Sequence, residues 1–519
     1  MLHYLRLKEC LVEIPSIAYE IIMKYLITLA FFAIPNTALA NNSLAHSITS
    51  FLDLVILPVT SFLAFLFLGA NYSFFGHEIQ ITILGLPLIV AWLIFAGLFF
   101  TIKLKFVNIR LFKHGIDVVR GKYISNEGSD GKITPLQALF TAVSATVGLG
   151  NIAGVAIAIS IGGPGAVIWM MIAAFFGMST KFTEVSMGQK YRRTKDGHLL
   201  AGAFYYLEDG LKDHGKEKLG KFLAKLAAIF CIGGAIGAGI MFQANQSVSI
   251  IAESFNLGQS LKALIGLVLA GLIAFVLLGG IVRVAHISEK IVPLMALIYI
   301  VMCIAVLVVH NDKVLSAINL IFTSAFSQNA AYGGVIGAIV QGFKRAAFSN
   351  EAGLGSAPIA HAAAKVSHPM QEGSVSILEP FIDTITICFL SGIVIVTTGA
   401  YLDSSSDGIL ISQAAFNSVA PWFTYLLSLV VFLFAFSTML TYSYYGKQAW
   451  TYLTKGKHLK ICYTIFAVFV FIGSMLKIGT VIDLADILFL IMSVPNLIGL
   501  YIMSGTIKKE LEDYIKKLK

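Results

Sequence analysis

Residues 141–154 read TAVSATVGLGNIAG, and residues 348–361 read FSNEAGLGSAPIAH. Two hydrophobic segments are thereby interrupted by nearly the same four residues, Asn151-Ile152-Ala153-Gly154 and Asn350-Glu351-Ala352-Gly353. Glycines flank each break: Gly148 and Gly150 before the first, Gly355 after the second. Glycine has no Cβ, so a helix unwinds there at little steric cost. Inside a bilayer, unwound backbone persists only where protein or a wet cavity satisfies its N–H and C=O groups. Paired interruptions in corresponding halves of a chain mark a secondary transporter whose site lies near mid-membrane.

Composition agrees with that reading. Of the 519 residues, 57% are hydrophobic and 13% charged, the latter roughly half the share of a soluble domain. Uncharged runs at 84–102, 226–252, 263–282, 291–309, 384–402, 419–446, 461–476 and 487–507 suit a hydrocarbon core that takes about 20 helical residues to cross. The chain reads as an all-α polytopic membrane protein, not a soluble enzyme.

The formal charge of +9 does not point to nucleic acid, because the bases gather in alternate connections. One group is Lys103, Lys105, Arg110, Lys113, Arg120 and Lys122; others are 190–195, 447–460 and the tail 508–519. Between them lie connections such as 401–408, with two Asp and no base. That alternation orients the basic loops to the cytoplasm and also suits anionic membrane lipid. The five cysteines are scattered without paired spacing, so they read as small hydrophobes.

Near the start, Met23-Lys24, an apolar run over 25–34 and Ala38-Leu39-Ala40 have the layout of a secretory signal. Residues 1–22 then form an upstream extension, 23–40 the signal, and 41–83 an external or interfacial segment. Parity supports the last assignment: a spanning 50–68 would reverse the orientation required of 84–102. From there the spans count as one plus five plus five. Gly162-Gly163-Pro164-Gly165 divides the long run 133–180 into two. The broken segments come first in their five-span units, and because five is odd the second unit enters from the opposite face. The transporter domain is 84–507, followed by a basic cytoplasmic tail at 508–519.

Unwinding at Gly148–Asn151 presents backbone N–H groups at a half-helix N-terminus, where an anion such as a carboxylate is favoured. It also turns carbonyls toward a cavity, where they can replace a sodium ion's water; Ser144, Thr146 and Asn151 add side-chain oxygens. Glu351, ionisable within an apolar span, is functional by default. It reads either as an ion ligand or as half of a Glu–Arg lock with Arg345 or Lys344. His361 suits a packed histidine near the cytoplasmic end. Gln243 and Gln246 share one face of a span, and Ser437, Thr438, Thr441 and Tyr442 enrich another in polar groups. Glu379 and Asp383, one turn apart without a His or Cys beside them, suit a gate or a loop anchor.

Residues 145–156 (ATVGLGNIAGVA), 162–170 (GGPGAVIWM), 177–184 (GMSTKFTE), 349–361 (SNEAGLGSAPIAH), 437–446 (STMLTYSYYG) and 495–500 (PNLIGL) resemble the alanine or glycine:cation symporter family. The resemblance implies a LeuT-type inverted repeat of five plus five helices preceded by one extra helix. It implies sodium-coupled uptake of a small neutral amino acid, alanine or glycine; the signal-like start and the basic loops point to the inner (cytoplasmic) membrane of a bacterial cell. Carried over residue by residue, it assigns Thr146, Gly148, Gly150, Gln243 and Thr438 to the substrate, with Thr441 and Tyr442 at the pocket. Some members carry Gly-Trp where this chain has Thr441-Tyr442, a departure that bears on substrate size. Residues 147–151 are also similar to the unwound helix of bacterial leucine transporters. That likeness implies sodium ligation by Val147 and Asn151, with Ser437 and Thr438 as a hydroxyl pair; Ser144 lies one turn before the break. Sodium is the implied coupling ion. The alternatives are a proton-coupled permease using Glu351 or His361, and a channel. A channel would want a continuous polar lining, and a membrane enzyme clustered His, Asp or Cys ligands.

Overall fold

A computed structural model describes residues 62, 64–66, 72–74, 77–79, 81–83, 85–123, 131–195, 198–277, 280–327, 334–403 and 407–518. The expected upstream extension and signal, and most of 41–83, lie outside these residues. Two short antiparallel hairpins precede the helical bundle, β1 (Tyr72–Phe74) with β2 (His77–Ile79) and β3 (Thr82–Ile83) with β4 (Leu86–Pro87). They lead into α1 (Leu88–Lys103), whose start at Pro87 follows the N-terminal tolerance of helices for proline. The short α2 (Val107–Arg110) and α3 (Phe112–Val119) follow.

The first five-helix unit opens with α4 (Pro135–Thr146), whose start is fixed by a capping box. Thr134 accepts from the Gln137 N–H, and the Gln137 side chain accepts from Thr134 N–H. Past the break, a wide helical turn over Gly150–Gly154 runs into α5 (Val155–Gly162). The two halves are bent by 53°. Next come α6 (Ala166–Lys190), the hairpin β5 (Arg193–Lys195) with β6 (His198–Leu200), and α7 (Ala203–Asp213) beside the bundle. The long α8 (Glu217–Ser254), α9 (Gln259–Leu277) and α10 (Gly280–Val309) complete the unit. After α11 (Asn311–Ser324) the order repeats. A helix broken after α12 (Gly334–Asn350) resumes as α13 (Pro358–His361). Then come α14 (Pro369–Thr398), the short α15 (Ile409–Asn417) and α16 (Phe423–Thr454). α17 (Leu459–Met475), α18 (Ile478–Leu490) and α19 (Ser493–Leu518) close the chain.

Among the described residues, α1 followed by two matched five-helix units is the LeuT-type arrangement expected from the sequence. The two units share even the short helix after their second member, α7 and α15. Among the described residues six helices are long and apolar enough to cross a membrane, with the bent α4–α5 pair a seventh and three shorter apolar helices besides. The basic tail expected as a separate segment is instead the end of α19. The half-helices pack together, α5 and the wide turn against α12, and both run along α6. That places the two breaks side by side in the protein interior, where the bilayer demands that unwound backbone be.

Candidate functional site

The first break is held open by side chains. Val147 makes the last helical bond, to the Val143 carbonyl, and leaves the helix at ψ 85°. The freed Gly148 N–H donates to Asn151 Oδ1 (2.9 Å) and the Leu149 N–H to Gln243 Oε1 (3.1 Å). Two amide oxygens thus replace helical carbonyls, and the unwound turn carries no unsatisfied donor there. Glycine at 148 is required by close approach: a Cβ there would stand 2.5 Å from Thr438 Oγ1 and 3.3 Å from Gln243 Oε1. Gly150 lies where the broken helices cross, its missing Cβ 3.5 Å from Phe348 and Ser349.

An oxygen-rich seam joins α4 to α16. Thr438 Oγ1 donates to the Ser144 carbonyl (3.1 Å), and Ser144 Oγ to the Ser437 carbonyl (3.1 Å). Ser144 Oγ also meets Thr441 Oγ1 at 3.1 Å, which in turn donates to the Ser437 carbonyl (3.1 Å). Ser437 Oγ bonds back to Phe434 (3.0 Å). All four side chains are buried.

On the other side of the break, Asp383 clamps the two broken helices. Its Oδ1 accepts from Asn151 Nδ2 (2.6 Å), and its Oδ2 from Ser349 Oγ (2.8 Å) and Thr384 Oγ1 (2.6 Å). Asn350 Nδ2 donates to Thr384 Oγ1 (3.0 Å). Asp383 is fully buried, and among the described residues no cationic side chain comes within ion-pair distance of it. Three neutral donors satisfy its oxygens, so the carboxyl is hydrogen-bonded at both oxygens without an ion-pair partner among the described residues.

Seven of the residues singled out from the sequence therefore meet around the first break: Ser144, Gly148, Gln243, Ser437, Thr438 and Thr441, with Asn151 linking them to Asp383. Thr146 stays on its own helix, its hydroxyl 3.4 Å from the Ala142 and Val143 carbonyls. Tyr442 lies apart, pressed on Gly239 of α8, where a Cβ would approach its ring to 2.2 Å, with its ring centroid 5.3 Å from Tyr445.

The expected Arg345–Glu351 lock does not form. Arg345 (2.5 Å) and Lys344 (2.7 Å) both grip Asp486 Oδ2 on α18, and the Arg345 guanidinium lies over the Phe348 ring at 5.5 Å. The cause is geometric. Both bases belong to intact helix facing α18, whereas Glu351 lies past its end in left-handed backbone (φ 60°) and takes the Ser356 hydroxyl. Glu379 and Asp383 likewise part: Glu379 serves Lys181 (2.8 Å) and His361, whose other nitrogen meets Glu372 (2.6 Å). His361 is thus buried and hydrogen-bonded between Glu372 and Glu379.

Sequence reasoning passed over the residues that hold the second break. Glu184 Oε1 accepts from the Gly355 N–H (2.8 Å) and from Asn496 Nδ2 (2.5 Å), which also donates to the Gly353 carbonyl (2.8 Å). Lys181 and Glu184, ionisable at i and i+3 beside an apolar run, were the available signal; so was Asn496 inside PNLIGL.

Comparison with known proteins decides the family. The family model described as the sodium:alanine symporter family matches residues 70–519. The sodium/alanine symporter AgcS of Methanococcus maripaludis is 39% identical over 433 residues, covering 82% of this chain and 94% of that one. The chain belongs to the sodium:alanine symporter family. The symporter is also 34% identical to the probable sodium/glutamine symporter GlnT of Bacillus subtilis, over 83% of this chain and 88% of that one. A solved structure of MhsT in complex with L-phenylalanine overlaps 74% of the symporter and 98% of its own length, at 13% identity and a TM-score of 0.48. Family membership makes the symporter a multi-pass, sodium-coupled amino-acid transporter and not an enzyme, as its motifs imply.

Proposed function

We propose that the symporter carries alanine or glycine into the cell with sodium, by alternating access. Among the described residues, α1 and the members of the two five-helix units would span the cytoplasmic membrane of a bacterial cell with the basic loops inside. The substrate carboxylate would sit at the N–H end of the wide turn over Gly150–Gly154, where a helix dipole favours an anion. Gln243 and Thr438 would line it. Sodium would lie toward the Val147 carbonyl, Asn151 and the Ser437–Thr438 hydroxyls, and Asp383 would supply the charge that attracts it. The observation that supports the small-substrate reading is the close packing at the unwound turn, where a Cβ on Gly148 itself would stand 2.5 Å from Thr438 Oγ1 and 3.3 Å from Gln243 Oε1.

Competition against labelled alanine in proteoliposomes tests the size limit. Glycine should compete well, serve as a substrate itself, and outrank serine; leucine and phenylalanine should compete poorly. A wall at the site rejects a larger side chain more sharply than a pocket rejects one lacking a methylene, which changes affinity by only about 1–3 kcal/mol. Glutamine is the informative competitor, given the sodium/glutamine relative. Efficient competition by glutamine or leucine would overturn the alanine and glycine assignment while leaving the fold intact.

A further inference from the structure

Five basic side chains, Lys103, Lys105, Arg110, Lys508 and Lys516, line a cavity of about 330 Å³ with one acidic residue, Glu512. It opens where the last turn of α1, the short α2 and the end of α19 meet. Lys105 pairs with Glu512 (3.4 Å) and Lys516 with Asp513 (3.3 Å). Among the described residues no carboxylate comes within ion-pair distance of Lys103, Arg110 or Lys508. Like charges held around one cavity repel unless an anion joins them.

The backbone is built to gather them. Lys105 (φ 54°) and Phe106 (φ 55°) are consecutive left-handed residues without glycine, a costly turn that persists only where its surroundings impose it. It folds α2 back so that Arg110 lines the same cavity as Lys103. The neighbouring residues of these turns are apolar and open: Ile102 is 67% exposed, Phe106 46% and Ile109 61%. Phe95 and Leu98 continue that exposed strip up α1, as a hydrocarbon-facing helix does. The basic cavity thus has exposed apolar residues as chain neighbours of its lining bases, at the end of α1 that the basic loops assign to the cytoplasm.

We infer that this cavity binds the phosphate-bearing headgroup of an anionic phospholipid, whose acyl chains run along Ile102, Phe106 and Ile109. A free phosphate would use the bases alone; the adjoining apolar strip fits only a lipid. Arg110 offers a planar fork for phosphate oxygens and the lysines add point charges, in the pattern by which basic pockets on the cytoplasmic side hold lipid headgroups. The bound lipid would bridge the first helix and the last.

The test uses the full chain in phosphatidylcholine nanodiscs, titrated with labelled phosphatidylglycerol. Wild type should retain phosphatidylglycerol over phosphatidylcholine. Arg110→Gln with Lys508→Gln should weaken that retention on the order of tenfold or more, each base near the surface contributing about fivefold. Lys455→Gln with Lys457→Gln, in another basic loop, should leave it unchanged. Inorganic phosphate should not displace the lipid when chloride at equal ionic strength is the control. Equal loss in both double variants would reduce the effect to general surface potential and overturn the site. So would unchanged retention in the first variant, or displacement by phosphate. Arg110→Gln alone, at an exposed position, gives the same reading with about a fivefold loss if the double variant misfolds.

Discussion

Gly148→Ala is expected to lower alanine uptake by roughly 100-fold, the combined effect of about 1–3 kcal/mol of overpacking and a lost hydrogen bond. The new methyl would meet Thr438 Oγ1 at 2.5 Å and Gln243 Oε1 at 3.3 Å, and neither partner is free to retreat. Thr438 holds the Ser144 carbonyl, and Gln243 satisfies the Leu149 N–H of the unwound turn. Relief of the clash therefore breaks either the α4–α16 seam or the cap of the break. Gly154→Ala is the internal control: its Cβ would meet only the Leu149 carbonyl, at 3.9 Å, so uptake should stay near that of the parent. Labelled alanine uptake, normalised to reconstituted protein, reads both variants. Near-parental uptake by Gly148→Ala would place the substrate elsewhere in the bundle.

Asp383→Asn separates charge from shape. The amide keeps the side chain's volume and one acceptor oxygen, so a fold held by hydrogen bonds to Asn151, Ser349 and Thr384 should survive. The negative charge, which has no cationic partner among the described residues, is lost. If that charge draws sodium to the break, the sodium concentration for half-maximal uptake should rise on the order of tenfold or more, the scale of a buried charge-assisted contact. Maximal uptake at saturating sodium should fall less. An unchanged sodium dependence in a well-folded variant would make Asp383 a clamp between the broken helices and nothing more.

The broken helices were legible because the cause is local. Glycines and an asparagine beside an apolar run admit unwinding wherever that run sits, and counting spans then gave the inverted repeat. Gln243, Ser437 and Thr438 were legible as polar groups that lipid would exclude. Partners across the bundle were not, because which face of a helix meets which neighbour is set by packing. Arg345 and Glu351 are six positions apart and of opposite charge, yet the helix ends between them and turns the pair apart, leaving Arg345 to Asp486 on α18. Glu184 and Asn496 stand more than 300 residues apart in sequence and stitch the second break together. Tyr442, one turn after Thr438, faces Gly239 because a glycine there opens a slot for its ring. No pattern within α16 alone encodes that.

Sodium-driven alanine or glycine uptake through the first break is tested most directly in proteoliposomes holding the purified symporter and no other transporter. Labelled alanine, and glycine in parallel, should accumulate above equilibrium under an inward sodium gradient. Replacing sodium by potassium should abolish accumulation, and a protonophore should leave it intact. Accumulation that persists without sodium and collapses with the protonophore would contradict the account.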